Sequence, residues 1–333
     1  MPITLAEAKV GMADRVKQEV IDTFRRSSLL MDRMVWDNTI SPGTGGSTLT
    51  YGYVQMKTPS TAGVRAINTE YTPNEAKREQ KSATCVIMGG SFSVDRVIQK
   101  TSGAINELSF QAEQKIKATA NEFHYLAING AAAASPGAGY KGSTWDGLKK
   151  QLAGTSNEFT TTIDLSSAAA MNSNYQAFLD ELDALVAAID GSASMLMMNK
   201  HMLTKLRGIA RRADYYERSR DEFGRVVETY NGIPLVDLGG YYDPTQAKTI
   251  DTVATSTPTS SAFGMTDIYA VDLSLDAWHG ISVAGTGIIE ASMPDLRAPG
   301  AVKTGDVELV AATVLKNTTK AAVLHGIGIK PKS

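Results

Sequence analysis

The chain has 333 residues, a hydrophobic content of 43% and a formal net charge of −2 from 33 basic and 35 acidic residues. This length suits about two domains with buried cores, and the near-neutral charge argues against a protein whose main task is to neutralise phosphate groups. A single cysteine, the absence of a signal-peptide profile and the lack of any apolar run of roughly 18 residues predict a protein that is made and kept in a cytoplasm, without contact to a membrane.

The first 46 residues are predicted to form an N-terminal arm. Thr4 and Glu7 fit a capping box, in which a hydroxyl and a carboxylate satisfy backbone donors at a helix start. Apolar residues recur after them at helical spacing. A glycine-rich stretch, residues 41–46, then breaks the helical pattern.

Two alternating runs within residues 47–98 predict a long β-hairpin. The outgoing run places Leu49, Tyr51 and Tyr53 on one side, and the return run spans Thr84 to Met88. The polar stretch between them, residues 58–80, is longer than the loops that compact domains usually contain. Because a two-stranded arm is only marginally stable in water, we expect another copy of the chain to order it.

The segment 102–130 is predicted to form a helix about 40 Å long. Its apolar side chains recur every three or four residues and form a single stripe, so that a sheet or several neighbouring elements must cover it. The stripe consists of Ile105, Leu108, Ala112, Ile116, Ala120, Phe123 and Ala127.

The remainder predicts an inserted α/β domain within residues 165–284, followed by returning strands on which the long helix packs. The predicted helices are 174–190 and 202–213, and the predicted strands are 195–198, around 226, 233–238, 268–275, 287–291, 307–315 and 321–329. Residues 246–263 are rich in Thr and Ser and are predicted to form a surface loop.

Patterns typical of catalysis are weak. Gly137–Gly142 matches the G-x-G-x-x-G fingerprint, but no strand precedes it, as nucleotide binding by that motif requires. The four histidines are scattered and lack metal-ligand spacing. We therefore expect no catalytic, cofactor or metal site, and an enzyme that uses a nucleotide is an alternative resting on the glycine motif alone.

The segment 205–225 is the most charged part of the chain, and its charges have both signs. Mixed charge beside paired tyrosines favours a protein interface, with a solvated face and a genome contact as the alternatives.

The order of these parts resembles the major capsid protein of tailed bacteriophages, an α+β fold of the Hong Kong 97 type. The amino-acid sequence of residues 41–53, 67–79 and 89–98 is similar to that of siphophage capsid proteins. The resemblance implies an N-arm at 1–46, an E-loop at 47–98 and a spine helix at 102–130. It also implies a peripheral domain at 99–164 and 285–333, and an axial domain at 165–284.

In function, the resemblance implies a structural protein that assembles through pentamers and hexamers into an icosahedral head around double-stranded DNA, without sequence-specific contact. It further implies assembly in the bacterial host cytoplasm, separate scaffolding and portal proteins, and a possible decoration protein. We expect no fused scaffold before the arm helix. Some members join an E-loop lysine to an asparagine; Lys57, Lys77, Lys81 and Asn317 are available, but no motif pairs them, and we expect no such cross-link. An encapsulin, a bacterial compartment of the same fold, is the alternative.

Two parts of the chain are expected to touch neighbouring subunits: the E-loop with its tip, and the charged segment of the axial domain. The predicted contact residues are Tyr51, Tyr53, Arg65, Tyr71, Glu75, Lys77, Arg78, Glu79, Arg211, Arg212, Asp214, Tyr215 and Arg218.

Overall fold

The structure is a computed structural model, and it describes residues 28–39, 48–58, 60–95, 107–132, 145–213, 217–220, 226–243, 246–256, 263–283, 289–294 and 300–331. Most of the predicted N-arm, the glycine motif Gly137–Gly142 and two predicted contact residues, Asp214 and Tyr215, lie outside these ranges. None of the helices within the described ranges is both long and apolar enough to cross a membrane.

Five helices and sixteen strands make up the described part of the chain. The helices are α1 Leu29–Arg33, α2 Glu107–Asn129, α3 Leu148–Leu152, α4 Ala168–Ala187 and α5 Lys200–Arg212. The strands are β1 Trp36–Thr39, β2 Thr50–Thr58, β3 Lys77–Thr84, β4 Val86–Asp95, β5 Glu158–Thr160, β6 Met195–Met198, β7 Glu217–Arg220, β8 Val226–Tyr230, β9 Ile233–Asp237, β10 Gly240–Asp243, β11 Lys248–Asp251, β12 Phe263–Val271, β13 Trp278–Val283, β14 Ile289–Ser292, β15 Val302–Leu315 and β16 Ala321–Pro331.

A five-stranded sheet supports the long helix. In this sheet β1 pairs with β13, and the long strand β15 pairs with β13, β14 and β4. The β4–β15 ladder is antiparallel and runs from Val86 opposite Ala311 to Asp95 opposite Val302. Alternate residues of β15, including Val307 and Leu309, are buried, so that one face of this sheet lies in the core.

The spine helix α2 packs its predicted stripe against this sheet. Ala112, Ile116, Ala120, Phe123 and Ala127 are all buried, as the spacing predicts. The helix contacts β4 and β15 and, further along, β10. Burial of a continuous stripe stabilises so long a helix more than residue propensity does.

A seven-stranded sheet forms the second layer, in the order β5, β16, β12, β6, β9, β8 and β7. Its central strands are buried on both faces. Met195 and Met197 point into the core shared with the spine helix, whereas Leu196 and Met198 point into a second core beneath α4 and α5. This alternation explains why β6 reads as an unbroken apolar run.

The two returning strands enter different sheets. β15 lies under the spine helix as predicted, but β16 leaves through a 3₁₀ turn at Thr318–Lys320 and pairs with β12 in the seven-stranded sheet. The prediction that both strands form one sheet under the helix is therefore wrong for β16. Likewise β13, which falls in the predicted axial range, joins the five-stranded sheet. The domain ranges themselves stay a prediction.

Several elements differ in their bounds from the sequence-based prediction. The helix α4 begins at Ala168, six residues before the predicted start at 174, because the Ser167 side chain accepts a hydrogen bond from the Ala170 amide and caps it. The predicted surface loop 246–263 contains β11, which pairs with β10. Strand β12 begins at Phe263 rather than at 268.

The hairpin is the largest difference. The return strand is β3, Lys77–Thr84, rather than the predicted run from Thr84 to Met88. It pairs antiparallel with β2, from Thr50 opposite Thr84 to Thr58 opposite Lys77. Residues from Val86 onward belong to β4 and the five-stranded sheet. Cys85 separates the two strands, and its amide donates to the Leu49 carbonyl at 2.7 Å. The arm is therefore a separate two-stranded ribbon that continues directly into the body.

A buried histidine ties the start of the described chain to the spine helix. His124 Nδ1 lies 3.2 Å from the Leu238 carbonyl oxygen, so Nδ1 carries the proton and Nε2 accepts from the Ser28 hydroxyl at 2.6 Å. Burial lowers the pKa of His124 to about 4 from 6.5. The neutral imidazole is thus the form that fits this site.

The His124 site predicts an acid-dependent loss of stability. Above pH 6.5 His124 is neutral in both states; between pH 6.5 and 4 the unfolded chain takes up a proton that the folded chain does not. The free energy of unfolding should therefore fall with decreasing pH by up to about 1.4 kcal/mol per unit, about 3 kcal/mol in all. Chemical denaturation of the wild type and of His124→Gln at several pH values measures the difference, and equal slopes would contradict the assignment.

Another histidine acts in the opposite pH window. His325 on β16 lies 3.0 Å from Asp267 and 3.4 Å from Glu158, and the hydrogen bond to Asp267 raises its pKa above 6.5. Its contribution is complete below pH 6.5 and is lost as the pH rises through the raised value. Burial also lowers the pKa of His279, so below pH 6.5 the difference in slope between the wild type and His124→Gln, and not the slope itself, reports on His124.

Candidate intersubunit surfaces

The tip of the arm lies away from the rest of the subunit. Every residue from 60 to 82 is exposed. Two large apolar side chains of the tip, Val64 and Ile67, are 102% and 90% exposed, and Tyr71 is 61% exposed. Several large apolar groups exposed in one segment are typical of a surface that another protein covers.

Contacts within the tip nevertheless hold its shape. The Arg65 guanidinium lies 5.4 Å from the centre of the Tyr71 ring and donates to the Thr69 carbonyl at 3.2 Å. Nearby, the Asn74 amide donates to the Thr61 hydroxyl at 2.7 Å. A loop that is already ordered loses less conformational entropy when it binds. Of the predicted contact residues, Arg65 and Tyr71 are thus brought together.

Strand β3 carries the charged part of the arm. Lys77, Arg78, Glu79 and Lys81 are exposed on it, and Glu75 is exposed just before it. Neighbouring residues of a strand point to opposite faces, so these charges are distributed over both faces of the ribbon. Such a pattern fits a partner surface that also carries charges of both signs.

The base of the arm, in contrast, is fixed to its own subunit. The Tyr51 hydroxyl donates to Asp37 Oδ2 at 2.7 Å, and Lys316 Nζ lies 4.0 Å from the same oxygen and 5.4 Å from the centre of the Tyr51 ring. Four residues further along β2, on the same face, the Gln55 side-chain amide donates to the Leu315 carbonyl at 3.3 Å. We call Asp37, Tyr51, Gln55 and Lys316 the arm latch.

Strand β1 places Asp37 beside Tyr51. It runs parallel to β13, with Trp36 opposite Gly280. A Cβ atom at Gly280 would lie 2.6 Å from the Trp36 ring, so that glycine leaves the space that the ring fills. The Trp36 ring also lies 5.6 Å from the Phe123 ring of the spine helix. The body core therefore determines the position of one latch residue.

The latch alters the acid–base properties of its members. Burial and the hydrogen bond to Asp37 raise the pKa of Tyr51 well above its ordinary value. Burial opposes ionisation of Asp37, but the hydrogen bonds from Tyr51 and Asn38 and the charge of Lys316 outweigh it and lower the pKa of Asp37. The contact thus joins a neutral phenol to a carboxylate near neutral pH.

Two predicted contact residues, Tyr51 and Tyr53, accordingly lie against their own sheet. Their rings are 6.4 Å apart, and the Tyr51 ring meets the His279 ring edge-on at 6.2 Å. Both side chains are half-buried within the subunit. The prediction that they touch a neighbour stays untested. Within the subunit both rings pack against the core, and the Tyr51 hydroxyl also bonds to Asp37 of β1.

The charged segment at the end of α5 is described in part. Arg211 and Arg212 are both exposed, and Arg212 also donates to the Asn172 side chain at 2.6 Å and to the Gly208 carbonyl at 2.8 Å. Arg218 lies in β7, opposite Glu228 of β8. This surface therefore contains two exposed arginines, one of which is held by contacts within the chain.

A cavity of about 360 Å³ lies between α4, α5 and β8. Its polar groups bind one another: Arg207 Nε donates to Glu228 at 2.8 Å, and the Tyr230 hydroxyl donates to Asp183 at 2.6 Å. Nowhere in the described ranges do three or more His, Cys, Asp or Glu side chains gather so as to hold a metal ion. The contacts of Arg207 and Tyr230 link α5 and α4 to β8, the second strand from the edge of the sheet.

Comparison with solved structures shows the fold. The chain is similar to the SrpI encapsulin of Synechococcus elongatus PCC 7942, with a TM-score of 0.59, 13% identity, and coverage of 92% of this chain and 89% of that one. It is also similar to the chain in the structure of Gordonia phage Cozz, with a TM-score of 0.51, 13% identity, and coverage of 91% and 87%. The predicted α+β fold of the Hong Kong 97 type is confirmed.

The sequence itself gives the family. No curated protein matches it significantly. The family model for the SU10 major capsid protein, however, matches residues 17–233, which include the arm, the spine helix and strands β5 to β8 of the seven-stranded sheet. The resemblance to tailed-phage major capsid proteins is thereby confirmed, and the chain belongs to the SU10 major capsid protein family.

Proposed function

We propose that copies of this chain assemble through pentamers and hexamers into an icosahedral head that encloses double-stranded DNA. The observation that carries this proposal is the arm: its base is fixed to its own subunit, while every residue of its tip is exposed. A tip that keeps its shape without packing on its own body suits contact with a neighbour. Many modest contacts of this kind, repeated around a closed shell, add up to a durable assembly.

In this proposal the tip and the exposed charges of β3 form the contact with the neighbouring subunit. Val64 and Ile67 supply apolar area, and Lys77, Arg78 and Glu79 supply charges of both signs. Apolar anchors with a polar rim are typical of specific protein interfaces. Within each pentamer or hexamer, the neighbouring copy is proposed to face Arg211 and strand β7, which contains Arg218.

The proposed role is structural rather than catalytic. A net charge of −2 suits a container that holds DNA without gripping it, because tight binding of phosphates requires an excess of basic residues. We further propose that assembly takes place in the bacterial host cytoplasm, with a separate scaffolding protein and a portal. A decoration protein is an optional further partner of the shell.

An encapsulin is the second candidate, and the fold similarity to SrpI is the observation that favours it. The two candidates differ in cargo, since an encapsulin encloses proteins rather than a genome. The family match to a major capsid protein favours the phage head.

Electron microscopy of the purified protein tests the proposal. We expect closed, regular shells, and protein that stays monomeric under all assembly conditions would contradict it. Particles isolated from the natural source distinguish the candidates: nuclease-protected double-stranded DNA supports a phage head, and a packaged enzyme in fixed proportion supports an encapsulin.

A further inference from the structure

The arm latch connects parts of the chain that are far apart in sequence. Asp37 comes from β1, Tyr51 and Gln55 from β2, and Lys316 from the residue after β15. Through these contacts the first strand of the arm is fixed to one end of the five-stranded sheet. The remainder of the arm, from residue 60 to 82, is exposed.

The latch contacts are directional. A hydrogen bond weakens steeply as its angle departs from linearity, whereas apolar contacts tolerate sliding. Two other groups lie against the Tyr51 ring. Lys316 Nζ is 5.4 Å from the ring centre, and the centre of the His279 ring, which is nearly perpendicular to it, is 6.2 Å away. Together these contacts restrict both the position and the tilt of β2 where it leaves the body.

Small changes at the base are amplified along the ribbon. From Tyr51 to Thr58 the strand extends about 23 Å at about 3.3 Å per residue. A tilt of about 10° at Tyr51 would therefore displace the end of β2 by about 4 Å. A displacement of that size exceeds the length of a hydrogen bond, so it would move the tip off a fitted contact surface.

The charged pair of the latch lies at the rim of the body core. The side chains of Asp37 and Lys316 keep 36% and 26% of their exposure, so they lie at the rim of the sheet. Contacts between charged groups so close to water contribute little to global stability. The function of the latch is thus separable from folding.

From these observations we propose that the arm latch sets the direction in which the arm leaves the subunit, and thereby the angle between neighbouring subunits in the shell. This inference rests on the proposed function. Asp37, Tyr51, Gln55 and Lys316 are then positioning residues for assembly, although they touch only their own chain. Loosening the latch should yield folded subunits that assemble into shells of irregular diameter.

The matched pair Tyr51→Phe and Tyr53→Phe tests this proposal. Tyr51→Phe removes only the oxygen that donates to Asp37. Tyr53 lies on the same face of β2, and its hydroxyl makes no hydrogen bond within the part of the chain that the structure describes, so Tyr53→Phe is the control. Asp37→Asn, which weakens the same bond from the acceptor side, is a second test variant should Tyr51→Phe fold poorly.

Two measurements read out the direction of the arm. Spin labels at Val64→Cys and Leu275→Cys, both exposed positions, report the distance from tip to body in unassembled subunits, since the native Cys85 is buried. Loss of a hydrogen bond to a charged acceptor should raise the unlatched population about tenfold or more and broaden that distance distribution. Cryo-electron microscopy of assembled particles reports the spread of diameters.

We expect Tyr51→Phe and Asp37→Asn to broaden both distributions and Tyr53→Phe to match the wild type. Equal distributions in all four proteins would overturn the latch proposal. If the wild type forms no shells, the proposed function fails, yet the distance measurement still decides whether the latch directs the arm.

Discussion

Replacing residues 60–76 by a two-residue Asn-Gly turn is expected to abolish shell formation and to leave the subunit folded. Every residue removed is exposed, so the change removes contacts within the tip but no packing of the subunit core. Asn-Gly suits a tight turn between two antiparallel strands, and here, together with the retained Pro59, it gives a three-residue connection from β2 to β3. Size-exclusion chromatography and electron microscopy should show soluble small species where the wild type gives particles.

The thermal unfolding midpoint and the near-UV circular dichroism of unassembled protein serve as controls for this deletion. They should match those of unassembled wild-type subunits. A variant with Val64→Ser and Ile67→Ser keeps the length of the arm and removes only its apolar anchors, and it should assemble more weakly than the wild type. Normal particles from the deletion would show that the arm does not join subunits.

Among the substitutions proposed for this chain, Phe123→Ala is expected to lower the free energy of unfolding of the subunit most. The Phe123 side chain is fully buried between the spine helix and the five-stranded sheet, and its ring lies 5.6 Å from that of Trp36. Phe123→Ala removes this packing and leaves a cavity, so we expect the free energy of unfolding to fall by about 3–5 kcal/mol. Urea unfolding of unassembled subunits measures the change.

Phe110 on the same helix provides the matched control. It is 44% exposed, near the start of the spine helix. Phe110→Ala makes the same chemical change where the surroundings are largely water, so its cost should be well below that of Phe123→Ala. Equal losses for the two variants would mean that the spine helix does not pack on the sheet as described.

The core of the fold was predictable because its periodicity is strong. The apolar stripe of the spine helix repeats every three or four residues, and each described member from Ala112 to Ala127 is buried. The run Met195–Met198 likewise forms a central strand, since only a strand covered on both faces is apolar throughout.

The return strand of the hairpin was not predictable from alternation. Residues 77–82 are exposed on both faces of the ribbon, so no apolar side chains mark a buried face. The run that does alternate, from Thr84 to Met88, owes its pattern to β4, which has one face in the core. A strand in a free-standing arm carries no local signal of its partner.

The arm latch was likewise hidden from sequence reasoning. Asp37 and Lys316 are far apart along the chain, and only the parallel pairing of β1 with β13 and the end of β15 bring them to Tyr51. The alternation of Tyr51, Tyr53 and Gln55 is the one signal that could have indicated a buried face at the base of the arm. Interpreted without the fold, it suggested a contact with a neighbour.

A cryo-electron microscopy reconstruction of shells assembled from the full chain would show directly whether the arm joins neighbouring subunits. We expect residues 60–76 of each subunit to lie on an adjacent copy, with Val64 and Ile67 covered by that copy and the Tyr51–Asp37 contact intact within its own subunit. A reconstruction in which the arm folds back onto its own body, or remains exposed in a closed shell, would contradict it.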